Sequence, residues 1–303
     1  MAKYSQSKLI RRAIEKEIRL LKALDLETVN EKYLEKLVSG LLGHGYIDRM
    51  PYIQNPKAIR VRINKNGKLF ENAKELWWPP AENVQRGRCN DPGQPVFYFS
   101  DSEETAIIEK QPKEGDTLTV LTSELIDPAQ MPLVMIVGIH EFTGKSNPRY
   151  GLTPPAEDSK QKQFISREGL SKITPLLHGY VRDEFLREVA ADDSFEYKIT
   201  SAIARMLITK PETIDEDGNP VEGITADGIV YPSIRADKFG VNVALKTESA
   251  DRLYHPVSCV VYRVVEAHER FPFTVGKLCW SKSIEADGRI EWEIPEARKA
   301  SSG

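Results

Sequence analysis

The sequence predicts an α+β protein, and three observations lead to that class. Amphipathic patterns with the period of a helix open the chain and return in its second half. Short runs of β-branched and apolar residues, typical of strands, lie between and after them. Helical and strand patterns do not alternate strictly, so the order of elements favours α+β over a doubly wound α/β arrangement.

Residues 1–50 are predicted to form an N-terminal helical extension, folded as a hairpin. Apolar residues recur at helical spacing in the first stretch, and the pattern breaks at Asp25 and Leu26. A second amphipathic stretch follows and ends at Gly43. A helical cap on the next domain is the simpler interpretation, and a separate partner-binding module is the alternative.

The main domain is predicted over residues 51–275. Its first strand is "KAIRVRIN", in which alternation places Arg60 and Arg62 together on the face opposite the apolar residues. The prolines of "WWPP" break regular structure, and its two tryptophans are expected to be core anchors rather than a ligand platform.

The segment "RGRCNDPGQPVFYFSDSEETAIIE" combines a turn, a strand and a helix start. The turn can present Arg86, Arg88 and main-chain N–H groups to a phosphate. In the strand, Tyr98 is expected opposite its two phenylalanine neighbours. Ser102 is the expected N-cap of a helix that carries Glu109 near the end of its second turn. Each residue type is common in such places, so the hypothesis of a binding site depends on the combination.

Further strands, a loop and helices are predicted in the rest of the main domain. "GDTLTVLTSEL" and "PLVMIVGIHEF" are typical of strands, and residues 144–166 are predicted to be an exposed loop. This loop and the helical pattern after it form an inserted region at about 144–195, with helices ending near Lys210. "PETIDEDGNP" indicates a turn, and three further strands follow. Residues 276–303 are predicted to be a C-terminal tail with a loose end, "EARKASSG".

Composition excludes several classes of protein. The chain has 303 residues and a net charge of −3, without the basic excess of a general nucleic-acid binder. Three cysteines without a CxxC pair indicate neither a disulfide scaffold nor a zinc site, and they favour a reducing, cytoplasmic location. No signal peptide and no apolar stretch long enough to span a membrane is expected. The P-loop, dinucleotide-binding and metal-binding motifs are missing from the sequence, so no metal and no separate cofactor are predicted.

Two long segments resemble the signatures of the RES domain family, which is named for an arginine, a glutamate and a serine. The first signature matches at Gly87, Arg88, Asn90, Gly93, Pro95, Tyr98, Ala106 and Glu109. The second, "GIVYPSIRADKFGVNVAL", matches at Gly228, Ile229, Tyr231, Ser233, Arg235, Asn242 and Leu245. "IRVRIN" supplies the expected upstream arginine as Arg60 with Arg62 next in line, and "YKITSAIA" is similar to a helix of the family. The resemblance extends from about residue 56 to 265.

The chain also departs from the family's usual pattern. Many members are compact toxins, whereas here the two signatures lie far apart and a helical extension precedes them. Cys89 stands where the family's turn commonly has an aromatic residue. We expect a packing role for Cys89, because the family does not use a thiol there.

The resemblance implies an ADP-ribosyltransferase-like fold and an enzyme that takes NAD as substrate. Such an enzyme cleaves the nicotinamide–ribose bond as a glycohydrolase or phosphorylase. Transfer of ADP-ribose to a protein is the first alternative, and a non-catalytic nucleotide- or partner-binding module is an alternative of another class. The implied catalytic residues are Glu109, Arg88, Tyr98 and Ser233, and the implied substrate-binding residues are Arg60, Arg62, Asn90, Tyr231 and Arg235.

The resemblance also implies partners. NAD is the small-molecule partner, and the biological setting implied is a toxin–antitoxin or defence system. The restraint on such an activity is expected from an antitoxin protein or from the chain's own N-terminal helices. Assembly into a homo-oligomer is compatible with the sequence, whereas direct contact with nucleic acid or a membrane is not expected.

Overall fold

The structure is a computed structural model that describes residues 2–44, 49–51, 56–138, 174–190, 193–208, 212–214, 220–222, 225–236, 240–267 and 273–295. The chain divides into two compact units. The first unit comprises residues 1–54, 81–94 and 133–232, and the second comprises residues 55–80, 95–132 and 233–303. The predicted loop at 144–166 and the final "EARKASSG" lie outside the described residues.

The predicted α+β class is confirmed, with helices ahead of a domain of mixed composition. The helices are α1 (Ala2–Lys22), α2 (Glu31–Leu42), α3 (Glu103–Glu109), α4 (Thr174–Phe185), α5 (Lys198–Ile208) and α6 (Thr247–Leu253). The strands are β1 (Arg49–Pro51), β2 (Lys57–Ile63), β3 (Val96–Ser100), β4 (Thr117–Leu125), β5 (Leu133–Ile136), β6 (Glu212–Ile214), β7 (Pro220–Glu222), β8 (Gly228–Pro232), β9 (Val241–Lys246), β10 (Tyr254–Glu266), β11 (Thr274–Ile284) and β12 (Ile290–Glu293).

The first unit contains the N-terminal helices, α4, α5 and a small sheet. The Asn30 side chain accepts a hydrogen bond from the Tyr33 N–H and so caps α2, while Gly43 ends that helix as the sequence predicts. The apolar stripe of α2 is buried, with Leu34, Val38 and Leu41 all at most 2% exposed. In the sheet of this unit, β5 pairs with β1 in antiparallel and with β8 in parallel direction.

The second unit is built on an antiparallel sheet with the strand order β9-β3-β2-β4-β10-β11-β12. One side of it is covered by α3, which packs Ala106 and Ile107 against Val61, Leu118 and Val120. Trp77 is 8% exposed and stacks on Phe97 at 4.3 Å between ring centroids. The expectation that Trp77 is a core anchor is thus confirmed.

The sheet of the second unit opens between β2 and β3. These strands pair at a single register position, Ile59 opposite Ser100. By contrast, β3 pairs with β9 along its whole length, and β2 pairs with β4 along its whole length. The residues that follow Ile59 in β2 therefore lack a strand partner on the β3 side, and Arg60 is the first of them.

Two sequence predictions differ from the structure in detail. The predicted tail at 276–303 begins inside β11 and includes β12, so strand residues continue the sheet beyond the expected boundary. The reason is that β11 alternates only weakly and the sequence pattern did not reveal it. The segment "PETIDEDGNP", predicted to be a turn, contains β6 and begins β7 with Pro220, and these two strands pair in antiparallel direction. Within the part of the chain that the structure describes, no helix is long and apolar enough to cross a membrane.

Candidate active site

Glu109 is the last residue of α3, and the start of that helix sets its place. Ser102 has an extended backbone and accepts a hydrogen bond from the Thr105 N–H at 3.1 Å, so it is the N-cap that the sequence predicts. Ala106 and Ile107 are buried, whereas Glu109 is half-buried. The middle of α3 is thus packed in the core, and its last residue, Glu109, lies at the edge of that core.

A close approach between α3 and the segment before β9 fixes this arrangement. A Cβ atom on Gly240 would lie 2.1 Å from the Thr105 Oγ1 atom, so only glycine fits beside α3 here. The main-chain carbonyl of Gly240 accepts a hydrogen bond from the Ser233 N–H at 2.8 Å. The same glycine therefore links Ser233 to the helix that carries Glu109.

The Glu109 carboxylate is held by two neutral donors. The Ser233 hydroxyl donates to its Oε1 atom at 2.5 Å, and the Asn242 side-chain amide donates to the same atom at 2.7 Å. Ser233 is fully buried, and its oxygen accepts a hydrogen bond from the Ala236 N–H at 3.1 Å. Within the described chain no protein donor contacts Oε2, so this second oxygen is the one placed to meet a ligand.

Asn242 and Ser100 extend this set of hydrogen bonds. The Ser100 hydroxyl donates to the Asn242 Oδ1 atom at 2.7 Å, and both residues are buried. Because Oδ1 only accepts, the Ser100 hydroxyl orients the Asn242 amide so that its NH₂ group faces Glu109. Ser100 and Asn242 stand opposite each other in the β3–β9 register. Strand pairing therefore builds one side of the carboxylate site.

Tyr98 lies on the same sheet face as this set. It precedes Ser100 by two residues in β3, and side chains two apart on a strand share a face. Phe97 and Phe99 are buried on the other face with their ring centroids 5.6 Å apart, whereas Tyr98 is half-buried. The predicted alternation is confirmed, and Tyr98 is placed on the Glu109 side of the sheet.

Arg60 lies where β2 and β3 separate. Its Nη1 group donates to the Tyr98 main-chain carbonyl at 2.7 Å, so a side chain supplies the donor that a paired strand would supply. The residue is 8% exposed, and its Nε atom is buried without a hydrogen-bond partner. Burial and the nearby charge of Arg62 lower the pKa of Arg60 to about 9. No carboxylate forms an ion pair with Arg60 among the described residues.

Two more cations accompany Arg60. Burial lowers the pKa of Arg62, which is half-buried, while Glu75 opposes that shift. Lys110 remains exposed to water, yet desolvation and the charges of Arg60 and Arg62 lower its pKa to about 8. The charges of Arg60 and Arg62 lower the pKa of Lys110, and the charge of Arg62 lowers the pKa of Arg60, so an anion near these groups would relieve the repulsion.

The signature turn of the first unit carries Arg88 and Asn90. The Arg88 guanidinium donates to the main-chain carbonyls of Glu184 at 3.2 Å and Arg187 at 3.0 Å. It also lies 5.0 Å from the centre of the Tyr197 ring. The Asn90 amide donates to two carbonyls of its own turn. These contacts fix the turn, and the catalytic role of Arg88 and the substrate-binding role of Asn90 stay predictions.

The remaining candidates are placed as follows. Tyr231 is buried in β8 with its ring edge-on to Phe185 at 5.6 Å. Arg235 is exposed in the turn after Ser233. Cys89 is 3% exposed, as the expected packing role requires, and all three cysteines are free thiols. In the described ranges no group of three or more His, Cys, Asp or Glu side chains is placed to hold a metal ion.

These features define an α+β protein with a hydrogen-bonded carboxylate, Glu109, and three cationic side chains in the same unit. Comparison with known families takes the assignment further, because the model of the RES domain matches residues 60–274. The chain therefore belongs to the RES domain family. Neither the curated proteins nor the solved structures contain a match to the chain, so the ADP-ribosyltransferase-like fold stays a prediction.

Two residues of the site have functions that the sequence did not indicate. Asn242 matches the second signature but carries no predicted role. The sequence pattern indicates only that Ser100 lies in a strand. Only the pairing of β3 with β9 shows that they act together on Glu109. Lys110 was also missed, and its place directly after Glu109, at the end of a short helix, is the one signal that the sequence offers.

Proposed function

We propose that the chain consumes NAD by breaking the bond between nicotinamide and ribose. The observation that carries the proposal is the Glu109 carboxylate, which is fixed through Oε1 by Ser233 and Asn242 and keeps Oε2 for a ligand. Membership of the RES domain family supports the choice of NAD-related chemistry.

The chemistry suits a fixed carboxylate. Cleavage of the C–N bond develops positive charge on the ribose ring, as glycoside hydrolysis does, and nicotinamide leaves with the bonding electrons. A carboxylate beside the ribose stabilises that charge and accepts a proton from the incoming water or from a ribose hydroxyl. With water, the products are nicotinamide, ADP-ribose and a proton, and with phosphate they are nicotinamide and ADP-ribose phosphate.

Other side chains are proposed to bind the remaining parts of NAD. Arg60, Arg62 and Lys110 supply positive charges whose mutual repulsion a pyrophosphate of NAD would relieve. Tyr98, on the Glu109 side of the sheet, is placed to stack on nicotinamide or to bond the ribose. Ser233 and Asn242 act as positioning residues for Glu109. We retain Arg88 as a proposed catalytic residue and Asn90, Tyr231 and Arg235 as proposed substrate-binding residues of the family signatures.

The biological setting belongs to the same proposal. A protein that depletes NAD harms its own cell unless it is restrained, which is the reason to propose a toxin–antitoxin or defence system. An antitoxin protein or the N-terminal helices would supply the restraint.

The test is release of nicotinamide from NAD by the purified chain, followed by chromatography. Glu109→Gln keeps an oxygen for Ser233 and Asn242 but removes the negative charge, and we expect the rate to fall by about 10²–10⁴-fold. Glu104→Gln is the matched control, because Glu104 lies exposed in the first turn of the same helix. Equal rates for wild type and Glu109→Gln would contradict the proposal, as would intact NAD in every reaction.

The acceptor is identified in the same assay. Parallel reactions contain water alone, inorganic phosphate, or cell lysate with labelled NAD. Free ADP-ribose indicates hydrolysis, its phosphate ester indicates phosphorolysis, and a labelled macromolecule indicates ADP-ribosyl transfer. Tight binding of a non-hydrolysable NAD analogue without any turnover would instead favour a non-catalytic binding module.

A further inference from the structure

The signature turn that carries Arg88 is tied to the N-terminal helices by a network of charges. Asp91, in that turn, forms ion pairs with Arg86 and Arg205 and accepts a hydrogen bond from the Ser201 hydroxyl at 2.9 Å. The two arginines belong to different segments, because Arg86 lies in the turn and Arg205 lies in α5. Asp91 therefore joins the turn to α5.

Helix α2 supplies two further carboxylates to the same arginines. Glu31 accepts from the Arg86 Nη2 group at 2.6 Å, and Glu35 accepts from the Arg205 Nη2 group at 2.6 Å. Each arginine is thus shared between Asp91 and one glutamate of α2. The Arg86 and Asp91 side chains are both only 10% exposed, whereas those of Arg205, Glu35 and Glu31 are 28%, 41% and 53% exposed. The centre of the cluster is therefore largely removed from water, and its glutamates lie at the rim.

We propose that α2 is a positioning element of the signature turn, and that Glu31, Glu35 and Asp91 are its positioning residues. Without the two glutamates, two guanidiniums would share one buried carboxylate, and an unneutralised buried charge is costly. The turn would then move to bring Arg86 to water. Arg88 follows Arg86 by two residues, so a shift of the turn would also disturb the hydrogen bonds of Arg88 to Glu184 and Arg187.

The contacts favour support of the site over restraint of it. A restraining helix covers or distorts a site and releases activity when it is weakened. Here the glutamates of α2 neutralise arginines whose remaining partners, Asp91 and Ser201, hold the turn in place. Loss of the contacts of α2 is therefore expected to loosen the turn and to displace Arg88. An effect of α2 on the turnover of NAD rests on the proposed function. An effect of α2 on the hydrogen exchange of the turn does not.

The first measurement is amide hydrogen exchange of residues 84–94 in the full-length chain. In Glu31→Gln/Glu35→Gln, we expect the turn to exchange about tenfold faster or more, because the two charges that neutralise Arg86 and Arg205 are removed although the amide oxygens can still accept hydrogen bonds. Glu15→Gln is the matched control, since it breaks an exposed ion pair with Arg11 on α1. Unchanged protection of the turn in the double variant would overturn the proposal.

A second measurement keeps the proposal testable if the double variant fails to fold. Raising the salt concentration of the wild-type protein screens the partly exposed pairs of Glu31 and Glu35. Exchange in the turn is expected to accelerate with salt more than exchange in β4, which lies in the sheet of the other unit. Equal salt responses of the turn and β4 would contradict the role of the charges.

The consequence for NAD is read from steady-state kinetics. We expect the KM for NAD to rise about tenfold or more in the double variant with a smaller change in kcat, because displaced binding groups weaken substrate capture. A rise in turnover would instead identify α2 as a restraint and overturn the proposal. If wild type does not consume NAD, the proposed function fails, and hydrogen exchange alone decides whether α2 positions the turn.

Discussion

The two units each contain a carboxylate at the centre of a hydrogen-bond network, but the networks differ in kind. Asp91, in the first unit, uses both oxygens and pairs with two arginines and a serine. Glu109, in the second unit, uses one oxygen and is held by two neutral donors. Both oxygens of Asp91 are occupied by donors of its own protein, whereas no described residue donates to the Oε2 atom of Glu109.

The arginines show the same contrast. Arg86 is largely buried and pairs with both Glu31 and Asp91. Arg60 is also buried, but the described residues around it offer a carbonyl and an aromatic ring instead of a carboxylate. A folded chain tolerates an unpaired buried charge at a cost, and such costs concentrate at functional sites. The charges of the first unit neutralise one another, whereas the described part of the second unit leaves Arg60 without a carboxylate partner, as the proposed binding of an anionic substrate would require.

The largest expected effect comes from exchanging each carboxylate for its amide. Asp91→Asn leaves two guanidiniums in a largely buried place without their shared anion, and we expect the free energy of unfolding to fall by about 3–5 kcal/mol. Glu109→Gln should change it by less than about 1 kcal/mol, because the amide oxygen still accepts from Ser233 and Asn242. Chemical denaturation of both variants measures the two free energies of unfolding. Similar losses in both would show that the two carboxylates do not differ in their structural role.

Packing should matter more than charge for the placement of Glu109. Gly240→Ala puts a methyl group into Thr105, so α3 must shift and Glu109 must move with it. We expect kcat for NAD to fall by roughly 10–100-fold. Gly179→Ala is the matched control, because a Cβ there meets no atom within 4 Å. Wild-type turnover in Gly240→Ala would show that the close approach is not needed.

Replacing Arg60, which has no carboxylate partner among the described residues, should weaken the binding of NAD without lowering the free energy of unfolding. Arg60→Met keeps an apolar side chain of similar reach, so we expect a free energy of unfolding that is unchanged or higher by up to about 2 kcal/mol at neutral pH. The KM for NAD should rise in the same variant, because an anion-binding group is lost.

The pH dependence of this variant has a definite sign. Because the pKa of Arg60 is lowered to about 9 in the folded protein, the cost of burying its charge applies below that pH and is relieved above it. Any stability advantage of Arg60→Met should therefore shrink as the pH rises beyond about 9, as thermal unfolding at several pH values would reveal. An advantage that grows with pH would contradict the unpaired state of Arg60.

The smallest expected effect concerns Lys110. Its pKa is lowered to about 8, so the positive charge is present below that pH and is lost as the pH rises through it. Affinity for an anionic substrate should then weaken severalfold between about pH 7 and pH 9. Lys110→Arg keeps the charge over this range and should remove that part of the pH profile of kcat/KM. Identical profiles in both proteins would exclude Lys110 from anion binding.

Much of the fold was predictable because it depends on local patterns. Asn30 and Gly43 bound a helix through capping chemistry that acts over one turn. Ser102 starts α3 in the same way, which places Glu109 at its end. Alternation in "VFYFS" correctly separated Tyr98 from its phenylalanine neighbours. The strands that were missed or shortened, β11 and β12, lie where alternation is weak and the sheet partner decides.

The sequence by itself determined which residue types are present at the site and which local elements carry them, because caps, turns and periodicity act between near neighbours. The tertiary structure decided what those residues touch. The hydrogen bonds of Glu109 to Ser233 and Asn242 join positions more than a hundred residues apart in the chain. The neutralisation of Arg86 by Asp91 and Glu31, and the absence of a described carboxylate partner for Arg60, likewise follow from packing. A guanidinium has the same chemistry in either setting, and only its surroundings make it a structural clamp or a binding group.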